Sequence, residues 1–439
     1  MTLHNELHNE LRSLLRGKVL VAGDEEFEQA RRPWNRAVEQ PVRAVVEAAD
    51  ADDVAALIRY ARLAGLTVTT QPSGHGAAGN AAELILLRTG RLDELRIDPG
   101  TRVARVGAGV SWGRVLRAAS PYGLTGLAGS SPAVTVTGYT LGGGLSWFGR
   151  KHGFASSNVR AFEVVDAVGA RARVTAESDP ELFWALRGGG GDFAVVTAVE
   201  FDLHPAPLLH GGRMLWPAEQ APAVLDAFRE ITATAPDELT VWYDLLHFPG
   251  AAPLVAIDTT FLGDGGDAGT LLRPLDKIPG LLSDSRAPLP VAELGSITAE
   301  PTDPGPGRSR AELLTGLTDE VTTALLERPI APLLSVQLRH LGGALARPTD
   351  TAAGHLDEPF ALYLFGIPGP DGGAAVGARQ AELADALIPH TTGRKPFTFL
   401  APGERAASAF TPQTLTRLRS LKRTLDPRGT FRSNFPVLD

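Results

Sequence analysis

Six residues, Gln71-Pro72-Ser73-Gly74-His75-Gly76, restrict what this chain can fold into more than any others. They follow an apolar, β-prone stretch, Leu66-Thr67-Val68-Thr69-Thr70, and so predict a strand that ends in a tight polar turn. Glycines on both sides of a histidine let the backbone approach a flat or anionic ligand with no Cβ in the way. Consecutive N–H groups in such a turn form a concavity suited to phosphate oxygens. His75 then stands at the edge of a ligand site. Read alone, a histidine between glycines is an ordinary turn residue. Two later clusters change that reading: Gly129-Ser130-Ser131-Pro132 and Thr140-Leu141-Gly142-Gly143-Gly144.

A chain of 439 residues exceeds one ordinary hydrophobic core, so two domains are expected. A hydrophobic share of 44% with 21% charged residues fits a soluble globular protein. The formal charge of −8 and a pI near 5.7 argue against nucleic acid as the main partner. There is no cysteine, which removes disulfides, thiolate metal sites and a cysteine nucleophile together. The N-terminus lacks the apolar core of a signal peptide, and no run reaches the length of a membrane span, so a cytoplasmic location without membrane contact is expected.

Leu3, Leu7, Leu11 and Leu14 recur at helical spacing, with His4 and His8 on a solvated face. Ala51–Ala64 reads as a helix with an acidic start and a glycine stop at Gly65. Leu84–Leu87, Val103–Gly107, Val164–Ala167 and Ala194–Phe201 read as strands, and a helix starts near Val110. From about residue 206 the pattern changes. Helical segments at Ala221–Thr234, Arg310–Glu327 and Gly373–Ile388 alternate with strands at Thr240–Phe248, Leu254–Phe261, Leu334–Leu341 and Phe360–Ile367. The expected architecture is α+β, with a second domain built on an antiparallel sheet covered by helices.

Several segments in order match one family: Pro33-Trp34-Asn35, SGHG at 73–76, GSSPAVTVTGYTLGGGLSW at 129–147, GRKHGFASSNV at 149–159, ELFWALRGGGGDFAVVT at 181–197 and LDPRGTFRSNFPV at 425–437. The chain resembles FAD-linked oxidases of the vanillyl-alcohol oxidase superfamily, with a PCMH-type FAD domain, in the berberine-bridge-enzyme-like branch. Arginine in excess of lysine, with abundant Ala, Gly and Pro, suggests a bacterial source. The resemblance implies an FAD domain of two α+β subdomains over 1–205, a substrate domain over 206–395, and a C-terminal segment, 396–439, that returns to the FAD domain. It implies covalent attachment of the flavin to His75. Pro72, Ser73, Gly74 and Gly76 would hold the pyrophosphate. Ser130, Ser131, Val134, Gly138, Gly142 and Gly143 would run along the cofactor, Val196 would lie near the adenine, and Asn434 near the flavin ring.

Two departures bear on function. Many relatives carry a second tether, a cysteine where this chain has Ser131, so the attachment here is expected through His75 only. Many also carry a tyrosine-rich motif where this chain has Pro396-Phe397-Thr398-Phe399-Leu400, so the usual phenolate base is missing. Replacement candidates lie on the substrate-domain strands. Gln337, Arg339 and Leu341 share one strand face, with His340 on the other. Tyr243 and Tyr363 are the tyrosine candidates, with Arg339 as the cation that would depress a phenol. The expected activity is oxidation of a small organic molecule at a C–H bond beside an alcohol or amine, or one activated by a phenol. Such a substrate suits the tailoring of natural products. Hydride would pass to flavin N5 and electrons on to O₂, giving H₂O₂. The resemblance places Val134 at the position beside flavin C4a, where valine favours an oxidase. The alternatives are a dehydrogenase with another acceptor, a flavin-dependent cyclase or rearrangement enzyme, and a flavin-binding module without turnover.

Overall fold

The computed structural model describes residues 9–369 and 372–438. Leu3, Leu7, His4 and His8 lie outside the described residues; Leu11, on the same predicted helix, is fully buried and Leu14 is exposed. Helices and sheets are mixed along the chain in the α+β organisation expected from the sequence. Among the described residues no helix is long and apolar enough to cross a membrane.

A four-stranded sheet has the order Lys18–Val21, Ala44–Glu47, Ile85–Arg88, Val68–Thr70, with the last three strands parallel. The helix Ala51–Ala64 covers it with Val54, Leu57, Ile58 and Ala61, a stripe at helical spacing. Asp50 caps its start by accepting from the N–H groups of Asp52 and Asp53, and Gly65 ends it at φ 67°. A five-stranded antiparallel sheet follows, ordered Leu95–Asp98, Val103–Gly107, Val195–Asp202, Val159–Val165, Arg171–Val174.

The largest sheet is antiparallel. Its order is Ser283–Asp284, His210–Pro217, Leu254–Phe261, Leu239–Leu246, Ser335–His340, Phe360–Gly366, Arg308–Leu314, with Ala287–Pro288 also pairing to the His210 strand. Helices Ala221–Thr234, Asp319–Leu326 and Ala374–Ala386 contribute to the core on one face, where Phe228, Val241, Tyr243, Ile257, Leu338 and Leu362 pack together. The other face meets residues of the first two sheets' region. There Trp147 stacks on Trp242 with ring centroids 3.6 Å apart, and Thr240 donates to the Trp147 carbonyl at 2.6 Å. Arg150, nearly fully buried, donates to the carbonyls of Leu239 at 2.8 Å and Ala235 at 2.9 Å, and to His340 Nε2 at 3.0 Å.

The expected helix over Arg310–Glu327 is corrected. Arg308–Leu314 is a strand paired with Phe360–Gly366, and only Asp319–Leu326 is helical. The alternation of Ala311 and Leu313 with Arg310 and Glu312 suits a strand, and Thr318 caps a fresh helix by accepting from Val321 N–H.

The C-terminal residues are tied down by buried charges. Lys422 Nζ donates to the Asp192 carbonyl, the Asp426 carboxylate and the Phe431 carbonyl at 2.7–2.8 Å. Asp192 accepts from Ser433 N–H at 2.8 Å and Val437 N–H at 2.7 Å. Thr430 and Arg432 bond to Val68, so the segment lies along the strand that leads into the His75 turn.

Two tests follow from this packing. Asp192→Ala leaves the Ser433 and Val437 N–H groups without an acceptor and should cost about 3 kcal/mol in urea unfolding, with proteolysis of native protein releasing the residues after Thr411. His152 and His204 are stacked at 3.9 Å, and burial pushes them down to about 3 and about 4; burial beside Arg150 pushes His340 to about 3. The native protein resists protons that the unfolded chain accepts below its ordinary histidine pKa of 6.5. Stability is therefore expected to fall as pH drops from 6.5 towards 4. His204→Gln should flatten the dependence of the urea midpoint on pH; an unchanged slope would refute this account.

Candidate active site

The strand Val68–Thr70 delivers Gln71 and the turn that follows. Gly74 sits at φ +81°, and a Cβ there would lie 2.8 Å from the Pro33 Cβ, so both conformation and close approach demand glycine. Trp34 N–H donates to the Ser73 carbonyl at 2.9 Å, and the Trp34 ring stacks on His75 with centroids 4.2 Å apart. Ser73 Oγ lies 2.8 Å from His75 Nδ1, while His75 Nε2 is buried without a partner among the described residues. Burial pushes the imidazole down to about 4, so it is neutral near pH 7. In the tautomer that donates from Nδ1 to Ser73, Nε2 carries a free lone pair.

Gln71 joins this turn to the C-terminus. Its Nε2 donates to Asn434 Oδ1 at 2.8 Å and to Gln40 Oε1 at 2.7 Å, and its Oε1 is buried without a partner. Pro72, Ser73 and Gly76 flank the same turn, with Gly76 exposed. The second glycine segment is pinned elsewhere. Trp112 N–H donates to the Val134 carbonyl and Gly113 N–H to the Pro132 carbonyl, both at 2.9 Å. Ser130, Ser131 and Val134 are half-buried, and Gly138 is exposed. Gly142 faces Phe397 and Thr398, each 3.4 Å from where its Cβ would be. Gly143 has φ +95° and faces Phe154 and Ala353. Val196 lies in the five-stranded sheet opposite Val164, with its side chain in the hydrophobic core.

The catalytic candidates separate by strand face. Gln337 and Tyr363 are register partners, and Arg339 shares their face. Arg339 lies over Trp242, Phe399 and Tyr363, at 4.0, 5.0 and 5.3 Å from the ring centroids. Tyr243 is a correction. It points to the opposite, helix-covered face, packs against Phe228 and donates to the Ala221 carbonyl at 3.3 Å. His340 is also on that face, stacked on Phe360. The expectation that Arg339 depresses the Tyr363 phenol is corrected too. Burial raises Tyr363 and outweighs the opposing effects of the Ser309 hydrogen bond and Arg339, so the phenol stays protonated at neutral pH.

Three acidic and basic side chains on this face went unnoticed in the sequence. Arg213 donates to Asp258 with two bonds at 2.6 and 2.8 Å. Asp244 accepts from Ser335 Oγ at 2.6 Å and from Gln337 Nε2 at 3.3 Å. Burial pushes Asp244 up to about 7; the neighbouring Asp258 adds to this, and the Ser335 bond and Arg213 oppose it. The available signal was a lone acid inside each of two apolar strands, LTVWYDLL and LVAIDTTF.

A family model for an FAD binding domain matches residues 42–175. The chain is 29% identical to (R)-6-hydroxynicotine oxidase of Paenarthrobacter nicotinovorans over 96% of this chain and 97% of that protein. The crystal structure of 6-hydroxy-D-nicotine oxidase from Arthrobacter nicotinovorans superimposes with a TM-score of 0.83 at 25% identity, covering 95% of this chain and 97% of that one. BBE-like 1 of Physcomitrella patens shares the fold, with a TM-score of 0.86 at 17% identity over 98% of both chains. The residues present fit the cofactor: the unpartnered His75 Nε2 and Gln71 Oε1, the unpartnered Tyr139 hydroxyl and the glycine-lined backbone at 74 and 142 leave donors, acceptors and close backbone for it. The chain is thus an FAD-dependent oxidoreductase with the PCMH-type α+β fold, and the proteins it is similar to include a hydroxynicotine oxidase and a BBE-like protein.

Proposed function

We propose that this protein is an oxidase of a small organic molecule, holding FAD by one covalent bond to His75. The observation that carries this reading is the state of His75: neutral, clamped under Trp34, engaged at Nδ1 by Ser73 and unpartnered at Nε2. A neutral imidazole held in one orientation is a nucleophile with little entropy left to lose. Nε2 is therefore the atom offered to the flavin 8α position. No cysteine exists to form a second link. FAD when bound supplies a two-electron acceptor at N5 and a route from the reduced flavin to O₂ and H₂O₂.

The chain's own groups then have separate tasks. The turn at 72–76 holds the phosphates through backbone N–H groups. Ser130, Ser131, Val134, Gly138, Gly142 and Gly143 run along the cofactor, with Val196 towards the adenine and Asn434, fixed by Gln71, near the flavin ring. Val134 beside C4a supports reaction with O₂. Gln337, Arg339 and Tyr363 face the substrate, Tyr363 as a hydrogen-bond donor in place of a base. The substrate presents a C–H bond beside an alcohol or amine, or one activated by a phenol, as suits a natural-product intermediate. The relative named as a hydroxynicotine oxidase supports oxidation of a small molecule.

Acid precipitation of purified protein should leave yellow colour in the pellet, with FAD mapped by mass to the peptide containing His75. His75→Ala should bind FAD that acid releases, and its flavin should be reduced more slowly; flavin that stayed attached through acid would place the tether elsewhere. Gly74→Ala forces an L side chain to φ +81° against Pro33, at about 1–2 kcal/mol for the conformation alone. It should lower the flavin content of protein that still folds, read as the ratio of 450 nm to 280 nm absorbance. Oxygen uptake on substrate addition separates the oxidase from a dehydrogenase.

A further inference from the structure

Arg339 is 7% exposed, yet among the described residues its guanidinium forms no ion pair. Its Nε donates to Gln337 Oε1 at 2.6 Å; among the described residues its two terminal nitrogens have no acceptor. Neighbouring carboxylates are committed elsewhere. Asp258 takes both bonds from Arg213, and Asp244 takes Ser335 and Gln337. Glu300 acts on Arg339 only at longer range and makes no ion pair with it. A buried cation left this way is costly unless a partner arrives. The surrounding rings ease the charge through their π faces, but they offer no acceptors.

The guanidinium is also held in one pose. Trp147, Trp242 and Arg339 form a stack, with Trp242 between the other two. The Asp244 carboxylate takes the Gln337 Nε2 and so turns Oε1 towards Arg339 Nε. With Nε occupied, the outward edge of the fork presents N–H groups spaced for a planar, two-oxygen anion. Phe399 and Tyr363 flank it with flat apolar surface.

We propose that Arg339 anchors a carboxylate of the substrate, and that the enzyme acts on a small aromatic acid. This deepens the oxidase reading and rests on it for the reaction, though not for the binding. Asp244 and Gln337 are positioning residues that orient the fork.

The test uses the flavin-loaded protein titrated with benzoate and with benzamide, its neutral isostere, followed by the visible flavin spectrum and by tryptophan fluorescence. Benzoate should bind saturably and benzamide about 100-fold more weakly, as expected for loss of a charge-assisted pair. Arg339→Met should remove the preference for benzoate. Arg339→Lys keeps the charge without the fork; it should bind benzoate about tenfold more weakly than wild type, and it serves if the methionine variant fails to fold. Equal binding of benzoate and benzamide, or unchanged benzoate binding in both variants, overturns the anchor while leaving the oxidase reading intact. Protein that carries no flavin would instead overturn the oxidase reading, and the fluorescence titration would still decide the anchor.

Discussion

The stack of Trp147 on Trp242 joins the two halves of this site. Trp147 ends the glycine-rich segment that runs from Gly129, and Trp242 lies mid-strand in the large sheet. Two indoles in contact contribute about 1 kcal/mol beyond the apolar area they bury. Their geometric role is larger. The sheet face carrying Arg339, Gln337 and Tyr363 is set against the short helix carrying Tyr139 and the glycines after it, and Arg150 reinforces the contact through the carbonyls of Leu239 and Ala235. The strand Leu239–Leu246 is consequently buried on both faces, with helices on one side and the glycine-rich region on the other.

The third wall comes from the chain's end. The helix Pro412–Leu425 presents Lys422 to Asp192 and Asp426, and the residues after it run along the strand that leads to His75. Asn434 thereby reaches Gln71, and Phe397 and Phe399 reach Gly142 and Arg339. Buried charged groups in such a knot need every partner. Asp192 has them, since its oxygens take the N–H groups of Ser433 and Val437. Residues far apart in sequence are held at the site by this closure.

Local rules were legible where backbone geometry alone decides. Gly74 and Gly143 stand at positive φ, and only glycine meets that demand cheaply. The helix Ala51–Ala64 carried its cap, stripe and stop in fourteen residues. Strand parity was also readable: Gln337 and Arg339 do share a face, with His340 on the other. The segment Arg310–Glu327 was misread because a short edge strand followed by a helix mixes both periods in one window.

The sequence by itself determined the glycine turns, the α+β class and the family resemblance, because these rest on short ordered motifs and on periodicity. Only the tertiary structure decided which strand face meets the glycine-rich segment. Trp242 and Tyr243 are adjacent and both buried, so no contrast between polar and apolar positions distinguished them; the helices that cover Tyr243 and the indole that covers Trp242 did. The same holds for charge. Asp244 and Arg339 acquire their properties from neighbours on other strands and from loss of water, and neither is written locally in the chain.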